Sequence, residues 1–191
     1  MDTTLWNPLP VRFLEGERVY LRPIGQDDAE GYFRMLFNPE VRRLTGTQHS
    51  FTLEGVRRYI EGKSADDSAV LLLIALSDTD EVIGDIALQD INHVNRNANV
   101  RIAIDSDNHK GKGYGPESIR LLLEYGFGVL NLHRIELQVF AYNERAIKAY
   151  EKVGFSREGV QRDALYYNHQ YHDSIMMSIL EDEFKALYHK Q

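Results

Sequence analysis

The sequence predicts a mixed α/β (α+β) domain: a central sheet of mixed strand direction, with helices on its flanks. Three observations predict it. Between residues 70 and 105, three apolar or alternating runs are joined by short polar turns, which makes an antiparallel meander. The third run leads into a glycine-rich loop, a helical pattern and another alternating run. Such a strand–helix–strand crossover makes its two strands parallel. Finally, two strand-like runs flank Asn168-His169-Gln170 and read as a hairpin.

In order, residues 1–16 read as an N-terminal arm, because Pro8 and Pro10 interrupt regular structure. A single domain is expected over 17–182, followed by a C-terminal tail over 183–191. Residues 18–22 form a short strand stopped by Pro23. Asp27 and Asp28 put negative charge where a helix begins. Ala29, Tyr32, Phe33, Leu36 and Phe37 then make one apolar stripe. Asn38-Pro39 reads as the stop of that helix. Thr52 reads as the N-cap of a second helix, carrying Leu53, Val56, Tyr59 and Ile60.

Residues 70–76 are continuously apolar, as in a strand covered on both faces. Residues 77–80 are a turn, 82–91 the next strand, 93–98 polar and turn-like, and 99–105 the last strand of the meander. Beyond the loop, Ile119, Leu122, Leu123, Phe127 and Leu130 share one side of a helix, with Pro116 in its first turn. Residues 133–140 alternate as a strand. Asn143 caps a helix that turns Ala146, Ile147, Tyr150 and Val153 inward, and Gly154 ends it. Phe155 opens a strand, and residues 171–180 pair back on 164–167. The chain has no internal repeat.

Length suits one domain with a sizeable core: 191 residues, 43% of them hydrophobic. No apolar run is long enough to span a membrane, and the N-terminus lacks a secretory pattern, so a cytoplasmic protein without a membrane partner is expected. The absence of cysteine excludes disulfides, a thiolate nucleophile and cysteine-bound zinc. The histidines show no His-Glu-x-x-His spacing, and no metal is expected. A net charge of −7 argues against nucleic acid and suits an amine substrate.

The chemistry concentrates in Asn108-His109-Lys110-Gly111-Lys112-Gly113-Tyr114-Gly115-Pro116-Glu117. Alternating glycines let a ligand approach the backbone. The N–H groups and dipole of the following helix favour an anion, and Lys110 and Lys112 add positive charge. The loop therefore reads as built to hold phosphate. A P-loop requires Gly-x-x-x-x-Gly-Lys-Ser/Thr, which the chain lacks. A dinucleotide loop requires Gly-x-Gly-x-x-Gly, and the third glycine falls on Pro116 counted from Gly111, or on Ser118 counted from Gly113.

What fits is Lys110-x-x-Gly113-x-Gly115, which resembles the Arg/Gln-x-x-Gly-x-Gly/Ala motif of the GNAT superfamily of N-acetyltransferases, with lysine departing at the first position. A second segment, Asn143-x-x-Ala146-x-x-x-Tyr150-x-x-x-Gly154-Phe155, is similar to that family's Asn…Ala…Tyr…Gly-Phe. A third, Gly159-Val160-Gln161-Arg162-Asp163-Ala164 with Tyr171-His172-Asp173, resembles the branch holding ribosomal-protein N-terminal and spermidine acetyltransferases. The likeness runs from about Arg18 to Leu180.

The resemblance implies the GNAT fold, with the meander, a splayed parallel pair at the coenzyme site and acetyl-coenzyme A as cosubstrate. Pantetheine would lie along the backbone of Ile102, Ala103 and Ile104, as an added strand does. The pyrophosphate would lie over Lys110, Gly111, Lys112, Gly113, Tyr114 and Gly115, with Asn143, Ala146 and Tyr150 also at the coenzyme. Tyr150 stands at the family's acid position. On the bare sequence it is equally a packed residue of an apolar stripe, and Asn143 equally an N-cap. Relatives carry a glutamate where this chain has Asn99. The base is left open among Asp85, Asp90, His93 and a water chain. The implied acceptor is a primary amine of a small, polyamine-like molecule. The alternatives are a protein N-terminus or a coenzyme-binding module without catalysis. A homodimer is the implied assembly.

Overall fold

The computed structural model describes residues 10–106 and 108–189. The sequence's Pro8, and the rest of residues 1–9, lie outside the described residues. The strands are β1 (Leu14–Glu15), β2 (Val19–Pro23), β3 (Val70–Leu76), β4 (Val82–Asn92), β5 (Asn97–Ile104), β6 (Arg134–Phe140), β7 (Ser156–Tyr167) and β8 (Gln170–Leu180). The helices are α1 (Ala29–Leu36), α2 (Pro39–Thr45), α3 (Leu53–Ser64), α4 (Tyr114–Gly128), α5 (Glu144–Val153) and α6 (Glu181–Tyr188). One eight-stranded sheet has the order β1-β2-β3-β4-β5-β6-β8-β7. All neighbours are antiparallel except β5 and β6, which the α4 crossover makes parallel.

The continuous apolar run of β3 is buried on both faces because helices lie on both. On one face, Leu72 and Ile74 join Ile119 and Leu122 of α4, Ile147 of α5 and Phe184 of α6. On the other, Leu71, Leu73 and Ala87 meet Ala29 and Tyr32 of α1 and Val56 and Ile60 of α3. Thr52 caps α3 as expected, its hydroxyl accepting from the Gly55 N–H at 3.0 Å. Gly154 ends α5 at φ 116°.

Three expectations need correction. Asn38-Pro39 starts a helix as well as ending one. The Asn38 side chain accepts from the N–H groups of Glu40 and Val41 at 2.9 and 3.1 Å, and Pro39 in the first turn has no N–H to leave unpaired. Three helices therefore precede β3, not two. The strand expected from residue 99 begins at Asn97. Asn92 Oδ1 closes the turn on the N–H groups of Val94 and Asn95, Arg96 takes φ 55°, and pairing resumes at Asn97. The tail expected over 183–191 is instead helical as far as Tyr188. Glu181, Asp182 and Glu183 fill the first turn of α6, and the Glu183 carboxylate accepts from the Leu180 N–H at 2.9 Å. Phe184 is 1% exposed, against Phe127.

No helix among the described residues is long and apolar enough to cross a membrane. Because Phe184 belongs to the core, Phe184→Ala should destabilise the fold by about 3–5 kcal/mol, the range for emptying a buried aromatic site. Denaturant unfolding checks this, and a change below about 1 kcal/mol would return α6 to the status of a tail.

Candidate active site

The parallel pairing of β5 with β6 is short. It covers Asn97↔Arg134, Ala98↔Ile135 and Asn99↔Glu136 and then stops, while β6 stays paired with β8 as far as Phe140↔Ser174. Beyond Asn99 the two strands splay. The Asp105 N–H donates to the Ile83 carbonyl at 2.9 Å, which sets the phase of the β4–β5 ladder. In that phase Ala103 and Arg101 exchange backbone bonds with Asp85 and Ala87, and Ile102 and Ile104 turn their N–H and C=O groups into the splay. Ile102 and Ile104 therefore form the open edge. Ala103, grouped with them by the sequence, has its backbone committed to β4. Gly84 permits this, since a Cβ there would lie 2.1 Å from the Ala103 carbonyl oxygen.

The glycine loop follows β5. Gly111 and Gly113 take φ values of 77° and 87°, and Gly113 is the N-cap of α4. A Cβ on Gly111 would meet nothing within 4 Å, and one on Gly115 only Ile102 Cδ1 at 4.0 Å. These two glycines leave open space over the helix N-terminus. Gly113 differs: a Cβ there would lie 3.0 Å from both terminal nitrogens of Arg18. Arg18 donates from Nη1 to the Lys112 carbonyl and from Nε to Glu117 Oε2, both at 2.8 Å, and its guanidinium stands 5.9 Å from the Tyr114 ring. Glu117, only 8% exposed, also accepts from the Arg18 N–H at 2.8 Å. Burial would raise its carboxyl. The backbone and side-chain bonds from Arg18 more than offset that and hold it below the usual glutamate range. Sequence reasoning missed this pair. The signal was a glutamate in the first turn of a helix that must face an anion. Lys112 is exposed and Lys110 half-buried at the loop's entrance.

On α5, Asn143 Oδ1 accepts from the Ala146 N–H at 3.2 Å, so the capping role is realised and that N–H is used. Tyr150 is 8% exposed and packs edge-on against Phe155, 5.8 Å between centroids. Burial pushes its pKa up to about 12. Among the described residues nothing hydrogen-bonds its hydroxyl.

The expected bases fare unevenly. Asp85 is fully buried and ion-paired with Arg101, with the Tyr32 hydroxyl at 3.3 Å. It is a structural carboxylate. Asp90 and His93 are exposed near the turn that joins β4 to β5, at the end of the sheet opposite the glycine loop. Asn99 is half-buried at the vertex of the splay. Its register partner Glu136 was missed, although the alternation of residues 133–140 places it opposite Ile135. Ala98 and Ile135 point into the α4/α5 core, so Asn99 and Glu136 share the other face. The Glu136 side chain is 44% exposed and holds Arg134 Nε at 2.9 Å through Oε2.

That face is roofed at the open end of the splay by α2. Asn38 Nδ2 donates to the Asp105 carbonyl at 2.6 Å, the Tyr142 hydroxyl donates to the Arg43 carbonyl, and Gly46 fits against the Phe140 ring. Beside α2 lies a cleft of about 400 Å³ lined by Phe37, Pro39, Arg42, Gln48, Ser50 and Tyr167. Among the described residues no cluster of histidine and carboxylate side chains is placed to hold a metal ion.

Comparison with known proteins finds the acetyltransferase (GNAT) domain over residues 18–156. The spermidine N(1)-acetyltransferase of Escherichia coli is 41% identical over 106 residues, 56% of each chain, so the match spans little more than half of that relative's length. An uncharacterized N-acetyltransferase of Bacillus subtilis is 32% identical over 88% of this chain and 96% of its own. The crystal structure of the spermidine N-acetyltransferase of Vibrio cholerae in complex with CoA and spermine superposes with a TM-score of 0.83. It is 25% identical, covering 88% of this chain and 99% of that one.

The open space over Gly115 is the sharper test of the loop. Gly115→Val should leave the fold intact, because its Cβ meets only Ile102, and should weaken coenzyme A binding at least about tenfold by calorimetry, because the space is filled. Gly113→Val should lower stability as well, since it strains a left-handed residue and displaces Arg18. Unchanged coenzyme affinity in folded Gly115→Val would remove the loop from the site.

Proposed function

The chain belongs to the GNAT acetyltransferase family, and from that premise we propose that it transfers the acetyl group of acetyl-coenzyme A to a primary amine by direct attack on the thioester. The observation that carries this is the convergence of three features: the open backbone edge of Ile102 and Ile104, the open space over Gly111 and Gly115, and the Tyr150 hydroxyl without a partner among the described residues. The edge suits the two amides of a pantetheine arm, which pair with it as a strand would. The open space and the N-terminus of α4 suit a pyrophosphate.

Each residue then has a task. Ile102 and Ile104 orient the thioester. Tyr150 donates its phenolic proton to the leaving thiolate. Glu136 takes a proton from the attacking amine, through water where needed, because it is the half-exposed carboxylate at the vertex of the splay on the α2 face. Asp85, bonded to Arg101, takes no part in the transfer. A coenzyme-binding module without catalysis would have no use for a buried tyrosine hydroxyl left without a partner.

Tyr150→Phe keeps the packed ring and loses the proton. Its kcat should fall about 10²–10⁴-fold, with coenzyme affinity little changed. With the pKa raised to about 12, wild-type Tyr150 stays protonated across the neutral and mildly alkaline range. The rate should therefore show no loss assignable to this group below about pH 11. Full activity in Tyr150→Phe, or an alkaline fall near pH 9 that disappears in it, would contradict the assignment.

Glu136→Gln should convert a kcat/KM profile that is level near neutrality into one that climbs toward the amine's own pKa. Asn99→Glu in that background, one strand away in register, should restore the neutral activity. An unaltered profile in Glu136→Gln would send the proton elsewhere.

A further inference from the structure

Most of the arginines around the acceptor side of the sheet are neutralised. Arg43 pairs with Glu40 at 2.9 Å, Arg22 with Asp28 at 2.6 Å, Arg101 with Asp85, and Arg134 with Glu136 and Glu158. Arg42 is the exception. It is half-buried in the wall of the cleft beside α2, and among the described residues no carboxylate lies within ion-pair distance of it. Its guanidinium stands 5.8 Å from the Phe37 ring centroid and makes one long hydrogen bond, 3.4 Å to the Leu36 carbonyl. Most of its donors are unused by the protein. The other lining side chains, Phe37, Pro39, Gln48, Ser50 and Tyr167, are neutral. The cleft beside α2, the helix that roofs the open end of the splay, thus carries one cation without an ion-pair partner and no carboxylate in its lining.

Resting on the transferase reading above, we propose that the acceptor is a primary amine whose molecule also carries a carboxylate, held by Arg42, and not a polyamine. A polycation entering this cleft loses hydration and meets no anion to replace it, while Arg42 repels it. A carboxylate finds a planar fork of donors in a partly dehydrated, aromatic-walled setting, where such charge-assisted pairing is strong and geometrically selective. Gln48, Ser50 and Tyr167 add neutral hydrogen-bonding groups. The polarity of the site then matches the molecule. The carboxylate end would be held at Arg42 in the cleft wall, which leaves the amine to reach past α2 to the splay.

The test is thiol release from acetyl-coenzyme A by the full chain. The panel is α-amino acids, ω-amino acids of increasing length, short peptides with an acidic residue, the amide counterpart of each, and spermidine and spermine. Carboxylate-bearing amines should exceed their amides by at least tenfold in kcat/KM and should exceed both polyamines. The amino acid and peptide arms distinguish a free small molecule from a peptide, and the ω series measures the distance from Arg42 to the reacting nitrogen. Arg42→Gln should bring the acid-to-amide ratio near one while the KM for acetyl-coenzyme A stays put, and Arg42→Glu should move the preference toward polyamines. Equal turnover of acids and amides, a preference for spermidine, or an unchanged ratio in Arg42→Gln overturns this proposal and leaves the transferase reading standing. Absence of turnover with every amine overturns both. The wild-type acid and amide pairs decide the matter even if the variants fold poorly.

Discussion

The site exists because β5 and β6 stop pairing after Asn99 and Glu136. Each strand is held from its other side: β5 by β4 through Gly84↔Ile104, and β6 by β8 through Phe140↔Ser174. Neither can follow the other, so the sheet opens into a V. An open strand edge inside a domain leaves backbone donors and acceptors that must be satisfied by something. Here the unmatched groups belong to Ile102 and Ile104 on β5, the strand that leads into the glycine loop, and Tyr150 of α5 has a hydroxyl without a hydrogen-bond partner among the described residues. In the proposed reading, the pantetheine arm completes the sheet. Gly84, where β4 meets the Ala103 carbonyl, and Gly46, against the Phe140 ring, carry no chemistry of their own, yet the geometry of the site depends on them.

A second constraint operates at the loop. An N-terminal helix end attracts a pyrophosphate only if nothing negative competes there. Glu117 is a carboxylate in the first turn of α4, and its position would oppose the ligand if its charge were exposed. Instead it is turned into the protein and spent on Arg18 and on two backbone N–H groups. The pair also ties β2 to the loop, since the same guanidinium holds the Lys112 carbonyl. Because the folded-state pKa of Glu117 is lowered, its contribution to stability is complete above the ordinary glutamate value and is lost as pH falls through the folded value. Acidification should therefore loosen the loop and the edge of the fold together.

Much of this was readable in the chain. The meander, the crossover helix and the caps at Thr52 and Asn143 rest on local patterns, and local patterns survive folding. The strand–glycine loop–helix order was readable for the same reason, and so was the place of Tyr150 on the buried side of α5. Reading failed where the deciding partner was distant in sequence. Asn38-Pro39 is both a stop and a start: Asn38 Oδ1 caps α2 locally, while its Nδ2 is committed to the Asp105 carbonyl, 67 positions away. Phe184 looks like part of a polar terminus until Phe127 is brought beside it. Asp85 looks like an available carboxylate until Arg101, two strand positions from Ala103, closes on it. Glu136 lies 37 positions from Asn99 and becomes its neighbour only through the parallel register. Gly113 was assigned to ligand approach, but the space beside it is filled by Arg18, 95 positions away.

The net charge of −7 illustrates the same limit in the electrostatics. As a total it favours a cationic acceptor. But surface charges act on a ligand through solvent, where about 8 Å of separation at physiological ionic strength screens most of the effect. Inside a cleft the governing charges are the few that are partly dehydrated and not already matched. Around this one, the carboxylates of Asp28, Asp85 and Glu40 are bound to arginines. Glu136 at the vertex is likewise held by Arg134, though its side chain is 44% exposed, so the charge left without an ion-pair partner among the described residues is Arg42 in the cleft wall. An acceptor that complements Arg42 carries an anion, so the overall acidity of the chain says little about what enters the cleft.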